Sequence, residues 1–93
     1  MDNIEVKCIN KSNRYDPHER IESIGGLNAN GTRWRIPQYR AIQGIEEKKW
    51  HFYVNRGGAI VDVIIAMHNG HKYLKTANDG LHPDNLLSLP ECP

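Results

Sequence analysis

The stretch from Trp50 to Lys75 constrains this 93-residue chain most, because two tight turns within it leave little choice of geometry. Trp50, Phe52 and Val54 alternate with His51 and Tyr53, the period-two pattern of a strand with one face buried. Asn55-Arg56-Gly57-Gly58 then turns the chain into Ala59 to Met67, and Asn69-Gly70 turns it again into His71 to Lys75. Connections this short join antiparallel neighbours, so the pattern predicts a meander of three strands. Val61, Val63, Ile65 and Met67 line one side of the middle segment, while Ile60, Ile64 and Ala66 make the other side nearly as apolar around Asp62. That places it centrally.

Before this stretch, Ile4, Val6 and Cys8 alternate with Glu5 and Lys7, predicting a strand over Ile4 to Asn10. The run from Lys11 to Arg20 carries Asn13, Asp16 and Pro17 and reads as an exposed loop. Arg20 to Ile24 reads as a short strand ending at Gly25-Gly26, and Asn30-Gly31 signals a hairpin into Thr32 to Arg35. From Pro37 to Lys48 the period becomes helical, with Ala41, Ile42 and Ile45 on one face and Gln43, Glu46, Glu47 and Lys48 on the other. Pro37 suits the first helical position. Gly44 weakens the middle of the helix by roughly 1 kcal/mol relative to alanine, which points to a close packing contact there. The expected fold class is α+β: an antiparallel sheet with one helix packed on one face.

Residues 1–93 form a single domain on this reading, because a chain of this size buries only roughly 60–65% of its unfolded surface and cannot feed two cores. Twelve basic residues against eleven acidic ones give a net charge of +1, so no bulk field draws the chain to nucleic acid or to an anionic membrane. The longest apolar run, Ala59 to Met67, is far short of the roughly 20 residues that cross a bilayer, and no basic segment followed by an apolar one marks a secretory signal. A cytoplasmic protein without membrane partners is expected. In a reducing compartment the two cysteines are expected as free thiols, Cys8 in the core and Cys92 in a loose tail.

Cys8-Ile9-Asn10-Lys11, Pro17-His18-Glu19-Arg20, Ile24-Gly25-Gly26, Trp34, Phe52-Tyr53-Val54, Gly57-Gly58, Lys72-Tyr73-Leu74-Lys75-Thr76 and the tail Leu86 to Pro90 run through almost the whole chain. In this pattern the sequence resembles a family of small bacterial and phage proteins catalogued as a domain of unknown function. Ile36-Pro37 departs from it, standing where a serine-type helix cap is expected. The resemblance implies no activity, substrate or cofactor.

Chemical constellations are sparse. His71 followed by Asp84-Asn85-Leu86-Leu87 resembles part of an HNH-type nuclease motif, but Pro90 and Pro93 interrupt the helix that would carry the next metal ligand. His68 and His71, with Cys8, His82 and Cys92, lack the paired close-set spacing of a zinc site. His71, Asp79 and Asp84 come without a nucleophile or phosphate loop. No catalytic, metal-binding or cofactor-binding residue is assigned, and the chain is expected not to be an enzyme. Two binding readings remain. Arg33, Trp34 and Arg35 with Lys72, Tyr73 and Lys75 interleave cations with aromatics, as a nucleic-acid surface would if they shared a face. Leu86, Leu87 and Leu89 form an apolar tail that either docks on the chain's own sheet or fills a partner's groove. A protein-binding adaptor or inhibitor is the favoured reading, nucleic acid the alternative, and an undiscovered enzyme stands third.

Overall fold

The computed structural model describes residues 2–12, 20–78 and 84–93. Its elements are β1 (Asp2–Glu5), β2 (Cys8–Lys11), β3 (Ile21–Leu27), β4 (Arg33–Pro37), α1 (Gln38–Glu46), β5 (Trp50–Arg56), β6 (Ala59–His68), β7 (His71–Thr76) and α2 (Asp84–Leu87). The fold is α+β and mostly antiparallel, but the strands form two sheets rather than one. A four-stranded sheet has the order β1-β5-β6-β7, and a three-stranded sheet the order β2-β3-β4. β1 runs parallel to β5, with Ile4 opposite Phe52, while β5, β6 and β7 pair antiparallel in sequence order.

The strand expected over Ile4 to Asn10 is therefore divided. Val6 N–H donates to Tyr53 C=O at 2.8 Å in one sheet, and Lys7 N–H donates to Gly25 C=O at 2.9 Å in the other. The chain changes sheets at that step. The strand expected to stop at Gly25-Gly26 continues to Leu27 because both glycines act as strand residues in tight contact. A Cβ at Gly25 would lie 2.8 Å from Cys92 Sγ and 2.9 Å from Cys8 Sγ, and one at Gly26 would lie 2.6 Å from Glu5 O. The β3–β4 connection is a loop, closed by Asn28 N–H to Thr32 C=O and Gly31 N–H to Asn28 C=O. Asn69 and Gly70 both take positive φ (51° and 79°), as the tight β6–β7 turn requires.

Helix α1 starts one residue later than expected. Pro37 is its extended N-cap, with no side-chain cap hydrogen bond. Ala41 and Ile42 enter a core built from both sheets, including Val6, Ile9, Ile24, Phe52, Val54 and Leu74. Gly44 lies under the indole of Trp50, where a Cβ would come 2.0 Å from the ring. The tail docks on its own chain. Leu86 is fully buried, and Leu87 and Leu89 pack against the core. Asn85 Nδ2 donates to buried Thr76 Oγ1 at 2.8 Å and to Asn78 Oδ1 at 2.9 Å, which fastens the short α2 to β7. The asparagine that resembled a nuclease motif thus sits in a structural hydrogen-bond cluster.

The expectation of two free thiols is overturned. Ile9 N–H donates to Pro90 C=O and Cys92 N–H to Ile9 C=O, both at 3.0 Å, so the tail lies along the outer edge of β2. This brings the Cα atoms of Cys8 and Cys92 to 4.9 Å, and the two residues form a disulfide across 84 positions. Among the described residues no helix is long and apolar enough to cross a membrane.

Two stability measurements follow from this packing. Gly44→Ala should destabilise the fold by about 1–3 kcal/mol in chemical denaturation, because the strain of displacing Trp50 outweighs the gain in helix propensity. The same change in a Trp50→Leu background should be close to neutral or stabilising, and equal losses in both backgrounds would remove Trp50 as the cause. Reduction, or a Cys8→Ser/Cys92→Ser pair, should cost about 4 kcal/mol because a long closed loop is released in the unfolded chain. Iodoacetamide should label neither cysteine until a reductant is added.

Candidate functional site

The six residues expected as a basic and aromatic surface do not share a face. Arg33 and Arg35 are exposed on β4, whereas Trp34 and Ile36, one residue out of phase, turn the other way and pack against the core. Arg35 is also engaged, donating from Nη1 to Asn10 Oδ1 at 3.2 Å. On β7, Lys72 shares the side of Leu74 and makes a salt bridge with Glu46 of α1. Tyr73 is only 4% exposed, too buried to stack on a base, and Lys75 lies on the face opposite Lys72. Alternation along two strands therefore scatters the cations and removes Tyr73 from the surface.

A large concavity lies elsewhere, where the two sheets part. Beyond Lys7 and Gly25 the N-terminal strand follows β5 while β3 continues toward its hairpin, leaving an open groove of about 1000 Å³. One wall is β1. The other is the end of β3 with Asn28 and Ala29. Between them lie Trp34, Ile36, Trp50 and Phe52. The aromatic rings form a row, with Trp34 to Phe52 and Phe52 to Trp50 each 5.9 Å between centroids. Phe52 is buried, while Trp34 and Trp50 are half-buried. Both tryptophans of the chain thus line the groove.

Backbone hydrogen bonding makes the walls chemically specific. Asp2 N–H donates to Lys49 C=O at 3.1 Å and Val6 N–H to Tyr53 C=O, so the even-numbered residues of β1 address β5. Successive residues of a strand point their amides to opposite edges, which leaves the N–H groups of Asn3 and Glu5 facing the groove. On the other wall Gly25 C=O accepts from Lys7, so Leu27, two residues on, turns its N–H and C=O toward the same space. β1 is the edge strand of its sheet, so among the described residues no strand lies beside Asn3 on that side, whereas at Glu5 the walls already meet, with Glu5 O packed on Gly26 of β3. Two other edges are met by the chain's own groups: the tail lies along β2, and Gln38 Oε1 accepts from Leu74 N–H at 2.9 Å on β7.

A polar chain on the outward face holds the β1 wall in place. His51 of β5 contacts Asn3 of β1 through Nδ1 at 3.0 Å and Asp62 of β6 through Nε2 at 2.9 Å. These contacts clamp three neighbouring strands, and no group of three His, Cys, Asp or Glu side chains gathers as metal ligands among the described residues. The groove residues were not selected by the sequence reading, except for Trp34. Trp50 and Phe52 read there as core, and nothing in a strand's side-chain pattern says that its backbone edge is unpaired.

No curated protein and no solved structure matches the chain significantly. A family model matches residues 5–90, from the β1 wall of the groove to the docked tail, and the chain therefore belongs to the family described as "Protein of unknown function (DUF3892)".

Proposed function

We propose that this chain is a non-enzymatic protein-binding module, an adaptor or inhibitor, that takes up an extended segment of a partner polypeptide in the groove between its sheets. The observation that carries this reading is the outer edge of β1 at Asn3, with no strand beside it among the described residues, next to an aromatic floor at Trp34, Phe52 and Trp50. A strand added to a sheet edge gains main-chain hydrogen bonds, while every second side chain enters the apolar floor. The self-docked tail excludes Leu86 from that role, since it is already buried. Nucleic acid is disfavoured by the scatter of Arg33, Arg35, Lys72 and Lys75. The disulfide bears on location: such bonds persist in oxidising compartments, at odds with the reducing cytoplasm expected from the sequence.

Selection from a displayed library of random decapeptides should yield binders with micromolar affinity that alter the fluorescence of Trp34 and Trp50. Asn3→Pro removes a groove-facing N–H that makes no bond to β5, so this variant should keep its circular dichroism spectrum. Its affinity for the selected peptides should fall at least about tenfold. An empty selection, or undiminished binding by a folded Asn3→Pro protein, would sink strand addition. Amide shifts confined to Arg33, Arg35, Lys72 and Lys75 on adding DNA or RNA oligonucleotides would replace it with the nucleic-acid reading.

A further inference from the structure

The chain's last residues are fastened in two different ways. Residues 85–89 are held by burial and by side chains. Leu86 is fully buried, Leu87 and Leu89 pack against the core, Asn85 donates to Thr76 and Asn78, and Arg56 Nη1 donates to Asn85 C=O and Ser88 Oγ. Residues 90–93 lie at the surface. Their backbone meets β2 at Ile9, which donates to Pro90 C=O and accepts from Cys92 N–H, and Asn10 Nδ2 donates to Glu91 Oε2 at 3.3 Å and Cys92 C=O at 3.4 Å. Glu91 and Pro93 are exposed, and Pro90 has no N–H to give. Ordering four residues costs more conformational entropy than a few hydrogen bonds on an exposed edge return. The Cys8–Cys92 bond is therefore what keeps this segment in place, whereas residues 85–89 do not depend on it.

The two cysteines are unequally placed. Cys8 is 8% exposed, whereas Cys92 is half-buried on the outer edge, so an incoming thiolate meets Cys92 Sγ first. We infer that the disulfide is a redox latch: a dithiol reductant opens it, and residues 90–93 leave the edge of β2 while the fold around Leu86 stays intact. One thiolate of the dithiol bonds to Cys92 Sγ as the Cys8–Cys92 bond breaks, and the electron pair leaves on Cys8 Sγ, which takes up a proton. The second thiol then attacks the reductant's sulfur in this mixed disulfide and releases Cys92 as a thiol. Two electrons and two protons pass to the protein, and the reductant departs as its own disulfide. Opening the latch uncovers Ile9 N–H and C=O, and reoxidation covers them again. This edge lies on the side of β2 away from β3, so the latch stands apart from the groove and from strand addition there. It gives the chain a closed form in an oxidising compartment and an open form in a reducing one.

The test follows the labelled full chain by amide NMR, oxidised and then reduced with dithiothreitol. On reduction, Glu91 and Cys92 should acquire the fast relaxation of a free terminus, while Val54, Leu74 and Leu86 keep their chemical shifts. In the reduced chain the Ile9 amide should exchange with solvent at least about tenfold faster than the amides of the central strand β6, the mark of local rather than global opening. Brief iodoacetamide treatment should then modify Cys92 at least about tenfold faster than Cys8, as read by mass spectrometry. Cys92→Ser should show the same free terminus and the same fast Ile9 exchange without any reductant, and reoxidation of the wild-type chain should reverse both. Collapse of the whole amide spectrum on reduction would make the bond a staple of the entire fold and overturn the latch. A reduced chain in which Glu91 and Cys92 stay rigid and Ile9 exchanges no faster than β6 would overturn it equally, since the tail would then hold without the bond.

Discussion

Two consecutive amides, Val6 and Lys7, donate to different sheets, the first to Tyr53 and the second to Gly25. That divergence lets one short segment serve both sheets, as β1 in the first and β2 in the second. Because it exists, Val6 and Ile9 are both buried in a core that also takes Ile24 from β3 and Phe52 from β5. The same step parts β1 from β3. The groove is thus the outside of the bend whose inside is the core, and any change that straightens residues 6 and 7 must affect both.

The glycines and cysteines make so sharp a crossing feasible. Gly26 lets Glu5 O approach to a distance that no side chain would allow, and Gly25 leaves room for both sulfur atoms of the disulfide. The bond joins β2 to the tail, whose Leu86 fills the core from the far side. Edge, tail and core are therefore coupled. The tail covers one side of β2, while the edge strand β1 is held to its sheet by the Asn3–His51–Asp62 contacts.

The legible parts of the fold are those specified by local chemistry. Alternation in Trp50 to Val54 and positive-φ turns at Gly57-Gly58 and Asn69-Gly70 depend on neighbours in sequence, and β5, β6 and β7 lie where that pattern put them. The helix around Ala41 and Ile42 was legible for the same reason, and Gly44 does meet a packing contact. The division of the first strand was not read, although its signal is present. Cys8 and Ile9 are adjacent and both buried, which a single alternating strand with one buried face does not permit. The disulfide was missed because it depends on where the tail docks, a long-range outcome, and the argument from redox compartment pointed the other way. The basic surface failed for a geometric reason: Arg33-Trp34-Arg35 and Lys72-Tyr73 are sequence neighbours, and adjacent residues on a strand face opposite ways.

Strand edges are the feature that side-chain patterns record least, since an edge is defined by which strand is missing beside it. Here the accounting of backbone donors supplies what the pattern lacks. Ordinary folded chains satisfy nearly all buried backbone groups, and they commonly blunt exposed edges with prolines, charges or covering segments. In this chain three of the four edge strands follow that practice: β2 lies under the tail, β7 is met by Gln38, and β4 ends in Pro37. β1 carries Asp2 and Glu5, charges that discourage pairing with a like-charged edge. Charge is thus the blunting device on the edge that neither the tail nor a neighbouring strand covers.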